Sequence, residues 1–189
     1  EVVLEKGYQR VQVWQSYYLA FMQNDQWGIK TRTGRLICPA DYDEISFHNT
    51  YFITRKGNNL GLLNLQGIEL LSTFAEDIEY YNDSLFFYKE SSGWGAINQH
   101  GRKLIPPEFD SFGKLSGHFI QLVRRGKFYA YSVLINRLIS DGEYDAFYPF
   151  SKKYLIVKEN RQLGLIDWVG NVILKPQYNE IQAYGREQF

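Results

Sequence analysis

The chain has 189 residues, with 21 Lys plus Arg against 21 Asp plus Glu, so its formal net charge is zero. That length suits one domain or one array of small units, and the balanced charge lacks the basic surplus that nucleic acid or an anionic membrane demands of its main partner. Aromatics make up 17% of the residues, with 15 Tyr and 13 Phe against one Met, which fits pleated β surface better than helix, while 44% hydrophobic content excludes disorder.

A single cysteine, Cys38, excludes an intramolecular disulfide and a Cys-rich zinc site. No apolar run approaches the ~18–20 residues of a membrane-spanning helix. The first residues, Glu1-Val2-Val3-Leu4-Glu5-Lys6, match neither a signal peptide nor a Met start, so the chain is expected to be cut from something longer.

Laid on itself, the chain shows a repeat. Trp27-Gly28, Leu60-Gly61, Trp94-Gly95 and Leu163-Gly164 are equivalent, Phe128-Tyr129 fills the remaining slot, and the starts fall 33, 34, 34 and 35 residues apart. The leading residues 1–16 form a half unit, since Val3, Tyr8 and Val11 lie one period before Ile37, Tyr42 and Ile45. Five full units follow over residues 17–49, 50–83, 84–117, 118–152 and 153–189.

Each unit reads as strand, turn, strand, turn, strand, loop. The first strand is predicted at residues 17–22, 51–55, 85–89, 119–124 and 154–158, short runs rich in β-branched and aromatic side chains. The second begins at the Trp-Gly mark and ends in the turns Thr31 to Gly34, Asn64 to Gly67, Asn98 to Gly101 and Asp167 to Gly170. There a small polar residue caps the turn and glycine takes the left-handed dihedrals. The third strand carries Leu36-Ile37, Leu104-Ile105 or Val172-Ile173, and Pro39, Pro106-Pro107 or Pro176 is expected to end its ladder. The unit at 118–152 is the exception. Its turn, Ser132-Val133-Leu134-Ile135-Asn136, has lost the glycine, and Tyr129 replaces the glycine of the dipeptide.

These marks together resemble the WG β-repeat (WG-containing repeat) family. The best-matching stretch runs from Gly93-Trp94-Gly95 through Asn98-Gln99-His100-Gly101 to Ile105-Pro106-Pro107-Glu108-Phe109-Asp110, and the unit from Leu163 to Tyr178 is nearly as close. The resemblance implies a largely bacterial binding or scaffolding repeat with no catalytic motif to carry over. The fold expected is all-β, with tandem three-stranded repeats forming an open, twisted array; a closed propeller-like ring is the alternative.

No HExxH, nucleophile elbow or P-loop is present, no cofactor is implied, and His48, His100 and His118 are scattered. His100 reads as an exposed turn residue, and Cys38 as a small buried apolar side chain. Among the acidic clusters, Asp141/Glu143/Asp145 would present alternate carboxylates on one face if extended. The row Gln9, Asp43, Glu76, Asp110, Asp145 and Asn179 is instead explained by capping of neighbouring backbone N–H groups.

A second row, Trp14, His48, Tyr81, Leu115, Phe150 and Tyr184, flanked by Phe47, Tyr80 and Tyr148, makes a mainly aromatic stripe. It reads either as core between layers or as a docking platform. The functional expectation is a non-enzymatic module that binds a protein partner, with neither nucleic acid nor membrane insertion. Its expected place is the bacterial periplasm, outer membrane or exterior, with the cytoplasm as the other option. The alternatives are a carbohydrate-binding module, with Tyr80, Tyr81, Tyr148 and Tyr184 stacking on sugars, and a structural spacer between domains.

Overall fold

The structure, a computed structural model, describes residues 7–48, 50–82, 84–116 and 118–182. These hold twenty β-strands and no helix. The first sheet comprises β1 (Arg10–Trp14), β2 (Tyr18–Gln23), β3 (Gln26–Thr31) and β4 (Leu36–Tyr42), and the second β5 (Glu44–His48), β6 (Tyr51–Lys56), β7 (Asn59–Asn64) and β8 (Glu69–Ala75). The third is β9 (Asp77–Asn82), β10 (Leu85–Glu90), β11 (Gly93–Asn98) and β12 (Lys103–Phe109). The fourth is β13 (Ser111–Ser116), β14 (Phe119–Arg124), β15 (Lys127–Ser132) and β16 (Arg137–Leu138), and the fifth β17 (Ala146–Pro149), β18 (Tyr154–Glu159), β19 (Gln162–Asp167) and β20 (Val172–Tyr178). This is the tandem all-β array expected, each sheet antiparallel, open at both edges and drawn from one continuous stretch.

Two features differ from the sequence reading. Each sheet has four strands, because the segment that follows Tyr-Asp and contains the Ile slot, read as loop, is the first strand of the next sheet. The prolines do not end the ladder. β4 runs through Pro39, β12 through Pro106-Pro107 and β20 through Pro176. All three are edge strands, and the register shifts where β4 passes Trp27 to Ile29 and where β20 passes Leu163 to Leu165. A bulge on an edge strand is where a residue without an N–H does least harm.

The glycine of the dipeptide makes that bulge possible. A Cβ on Gly95 would lie 2.9 Å from the Ile105 oxygen and the Pro107 nitrogen, and one on Gly164 2.6 Å from the Leu174 oxygen. Tyr129 occupies this position in the fourth sheet, and the fourth strand there shrinks to two residues, Arg137 and Leu138. The chain then loops through Ser140 to Tyr144 and lies against the intruding ring, with Gly142 so close that a Cβ would meet Tyr129 Cζ at 2.9 Å.

The chain divides into two compact units, residues 1–91 with 95–107, and residues 92–94 with 108–189. In the first, one apolar cluster gathers Ile29, Ile37, Tyr42, Ile45 and Phe52, and another Leu62, Leu71, Phe86, Tyr88 and Ile97. In the second, Phe119, Tyr144, Phe147, Leu155 and Ile166 form the core. Trp27 packs against the first cluster and Trp94 meets Phe112 edge-on at 5.0 Å, so both serve as packing residues.

Candidate functional site

The aromatic row divides by burial. Trp14 is half-buried and stacks on Phe47 at 5.8 Å, and both lie against the first core cluster. Leu115 packs against the core of the second unit, and Phe150 is half-buried there. Tyr81 is half-buried with a shielded hydroxyl that has no hydrogen-bond partner, and burial raises its phenol pKa. Tyr80 is 47% exposed and Tyr148 is 44% exposed. Tyr184 lies outside the described residues.

What the sequence reading missed is Tyr51, the first residue of β6. Its ring stacks on His48 at 5.2 Å, with 5° between the planes, and on Tyr80 at 5.7 Å and 20°. His48 and Tyr80 are exposed while Tyr51 is 7% exposed, so one buried ring holds two surface rings in a three-member stack. Phe86 meets Tyr51 edge-on at 4.9 Å and fixes it from below.

Tyr51 also borders a cavity of about 490 Å³. Tyr51, Leu70 and Phe86, all buried, form its floor with half-buried Leu65, and Thr50, Asn64, Gln66, Gln99 and His100 form its rim. Two turns position that rim. Asn64 Oδ1 accepts from the N–H groups of Gln66 (3.0 Å) and Ile68 (2.9 Å), and Asn98 Oδ1 accepts from His100 and Arg102, both at 2.9 Å. The Gln99 carboxamide lies 3.3 Å from the His100 ring. Among the described residues, no Lys, Arg, Asp or Glu lines this cavity.

The remodelled fourth sheet borders a second cleft, about 470 Å³, lined by Arg124, Tyr129, Arg137, Asp141 and Glu143 among others. Arg124 donates to the Tyr129 hydroxyl at 3.0 Å and pairs with Glu108. Arg137 donates to the Val169 carbonyl at 3.2 Å. Burial raises the Glu143 pKa, and its carboxylate accepts the Asp141 N–H at 2.8 Å. Residues 141–145 lie outside any strand, so the alternating carboxylate face does not form.

The acidic row does cap hairpin tips. Asp43 accepts from the Gly57 N–H (2.6 Å), Asp110 from that of Arg125 (2.6 Å) and Asp145 from that of Asn160 (2.8 Å), while Gln9 does the same for Asp25 at 2.9 Å. Glu76 instead faces Lys89 at 3.6 Å. Among the described residues, no three His, Cys, Asp or Glu side chains form a metal-binding group. Cys38 is buried, which pushes its thiol up to about 11.

The model of the WG containing repeat matches residues 94–117, 135–161 and 164–189. These segments belong to the WG containing repeat family. The first of these segments covers most of β11 and all of β12 and β13, the second begins just before β16 and the third begins within β19, while Tyr129 lies in the stretch between the first two segments. No curated protein matches the chain. Among solved structures, Kluyveromyces lactis Hsv2 is similar at 11% identity and a TM-score of 0.35, over 84% of this chain and 60% of that one. A eukaryotic initiation factor is similar at 13% identity and a TM-score of 0.42, over 90% and 54%. PorZ of Porphyromonas gingivalis, a surface component of the type-IX secretion system, is similar at 10% identity and a TM-score of 0.32, over 90% and 27%. The chain thus spans less than two thirds of each.

Proposed function

We propose that this WG-repeat chain is a non-enzymatic module that binds a protein partner, working in the bacterial envelope. The observation that carries the reading is the His48–Tyr51–Tyr80 stack. Exposed rings held in one orientation by a buried neighbour lose little entropy on docking, and aromatic side chains of this kind anchor protein interfaces. A partner would lay an apolar patch on Tyr80 and His48, with the surrounding mixed charge at its rim. The capping row supports a structural use for its carboxylates, because those oxygens are engaged with backbone N–H groups.

The test is capture of partners from envelope and cytosolic extracts by the parent chain and by a His48→Ser/Tyr80→Ser variant of matching circular dichroism. Any captured protein is then purified and titrated against both. The reading expects at least a tenfold loss of affinity in the variant, equivalent to about 1.4 kcal/mol. Equal affinity for both chains, or turnover that maps to the acidic clusters, would overturn it. Recovery of the partner from cytosol alone would overturn the envelope assignment.

A further inference from the structure

We propose that the cavity floored by Tyr51 and Phe86 is a binding site for a short, neutral saccharide. This goes beyond the docking reading, which rests on the outer rings of the stack. The volume, about 490 Å³, falls within the ~300–1,000 Å³ of small-molecule sites.

The chemical class follows from the lining. Among the described residues, no Lys, Arg, Asp or Glu side chain lines the cavity, so a phosphate, carboxylate or ammonium group entering it would lose water to them without gaining a counter-charge. The polar groups that do face it are carboxamides, a hydroxyl and an imidazole. Gln66, Gln99 and Thr50 each both donate and accept, and the His100 ring adds a further hydrogen-bonding group. A sugar hydroxyl also donates and accepts, and it needs partners of that kind. The apolar floor then meets the C–H surface of the ring.

The ring of Tyr51 is already engaged by two stacked neighbours, His48 and Tyr80. Recognition therefore depends on the rim hydrogen bonds, which makes it sensitive to the two glutamines. Both turns carrying them are pinned through Asn64 and Asn98, so the rim is ordered before any ligand arrives.

The experiment is a protein-observed NMR titration with maltotriose, cellotriose and triacetylchitotriose, each taken to about 10 mM, with trigalacturonate as the charged counterpart. The chains compared are the parent, Gln66→Ala/Gln99→Ala and His100→Ala. All three substituted side chains are exposed, so the fold should hold, which circular dichroism verifies. The expected result is saturable binding of at least one neutral trisaccharide, with shifts at Leu65, Gln66, Gln99 and His100. The double variant should bind it at least tenfold more weakly, and trigalacturonate should bind the parent at least tenfold more weakly. Absence of saturable binding by all three neutral sugars, unchanged affinity in the double variant, or equal affinity for the charged sugar would overturn the proposal. The double variant should keep partner capture, so this site and the outer stack fail independently.

Discussion

Adding one methyl group at Gly164 tests the account of why the dipeptide carries glycine. Alanine there would place its Cβ 2.6 Å from the Leu174 oxygen, 2.8 Å from the Pro176 nitrogen and 3.0 Å from Pro176 Cδ. Two of those atoms are backbone, so no side-chain rotation relieves the clash. The β20 bulge must move outward, at a cost of about 1–3 kcal/mol, typical of an overpacked site. Gly113 on β13 supplies the matched comparison, since it is exposed and an added Cβ meets nothing within 4 Å. Alanine at 113 should stabilise by about 0.4–1 kcal/mol through the unfolded chain alone. Urea unfolding followed by far-UV circular dichroism gives both values. With a slope of about 2 kcal/mol per M, the two midpoints should separate by about 1–2 M. A Gly164→Ala midpoint equal to or above that of Gly113→Ala would refute the close-approach argument.

Three further outcomes follow from the same structure. Asp43→Ala should cost about 1 kcal/mol and speed hydrogen exchange at the Gly57 amide, whereas Asp43→Asn, which keeps an acceptor, should do much less of either; equal exchange in both would remove the cap from the explanation. Burial pushes the Asp167 carboxyl up, but bonds from Asn171, Val169 and Gly170 outweigh it and hold the pKa below the ordinary 3.8. A depressed folded-state value means that this contribution is present above the unfolded-state pKa and is lost as pH falls through the folded one. Asp167→Asn should therefore lower stability at neutral pH and flatten its decline in acid, so that parent and variant converge as pH falls below the ordinary carboxylate value, as denaturation midpoints would show. Cys38, with its thiol near 11, should resist iodoacetamide at mildly alkaline pH until the chain is unfolded, and labelling of the folded chain at the rate of a free thiol would contradict its burial.

The legible parts of the fold are those with strong local chemistry. The predicted strand at 119–124 coincides with β14, and the turns closed by Gly34, Gly67, Gly101 and Gly170 all form, each with the glycine N–H bonded to the carbonyl three residues earlier. The far half of the last strand in three sheets was hidden by Pro39, Pro106-Pro107 and Pro176, because proline counts against a central strand and sequence alone does not mark an edge. The site was less legible. His48 and Tyr80 stand in or beside the predicted row, but Tyr51 read only as a strand start, and Gln66 and Gln99 only as turn residues. Their meeting depends on the packing of one sheet against the next, which no local pattern encodes. One signal was present. The rim residues share turn positions of the repeat, and comparing those positions between neighbouring units would have placed Gln66 near Gln99 and His100.

Because every sheet is built from consecutive segments, each strand finds its hydrogen-bonding partner after closing only a short loop. Closure entropy grows with loop length, so such a chain pays little for each pairing and has low contact order. Folding of this topology proceeds by adding neighbouring sheets rather than by bringing distant ends together. It also localises damage. A side chain as disruptive as Tyr129 shortens one fourth strand to two residues, and β17 to β20 still assemble immediately downstream. A chain organised this way tolerates the rewriting of a single unit, which is the raw material for giving that unit a separate task.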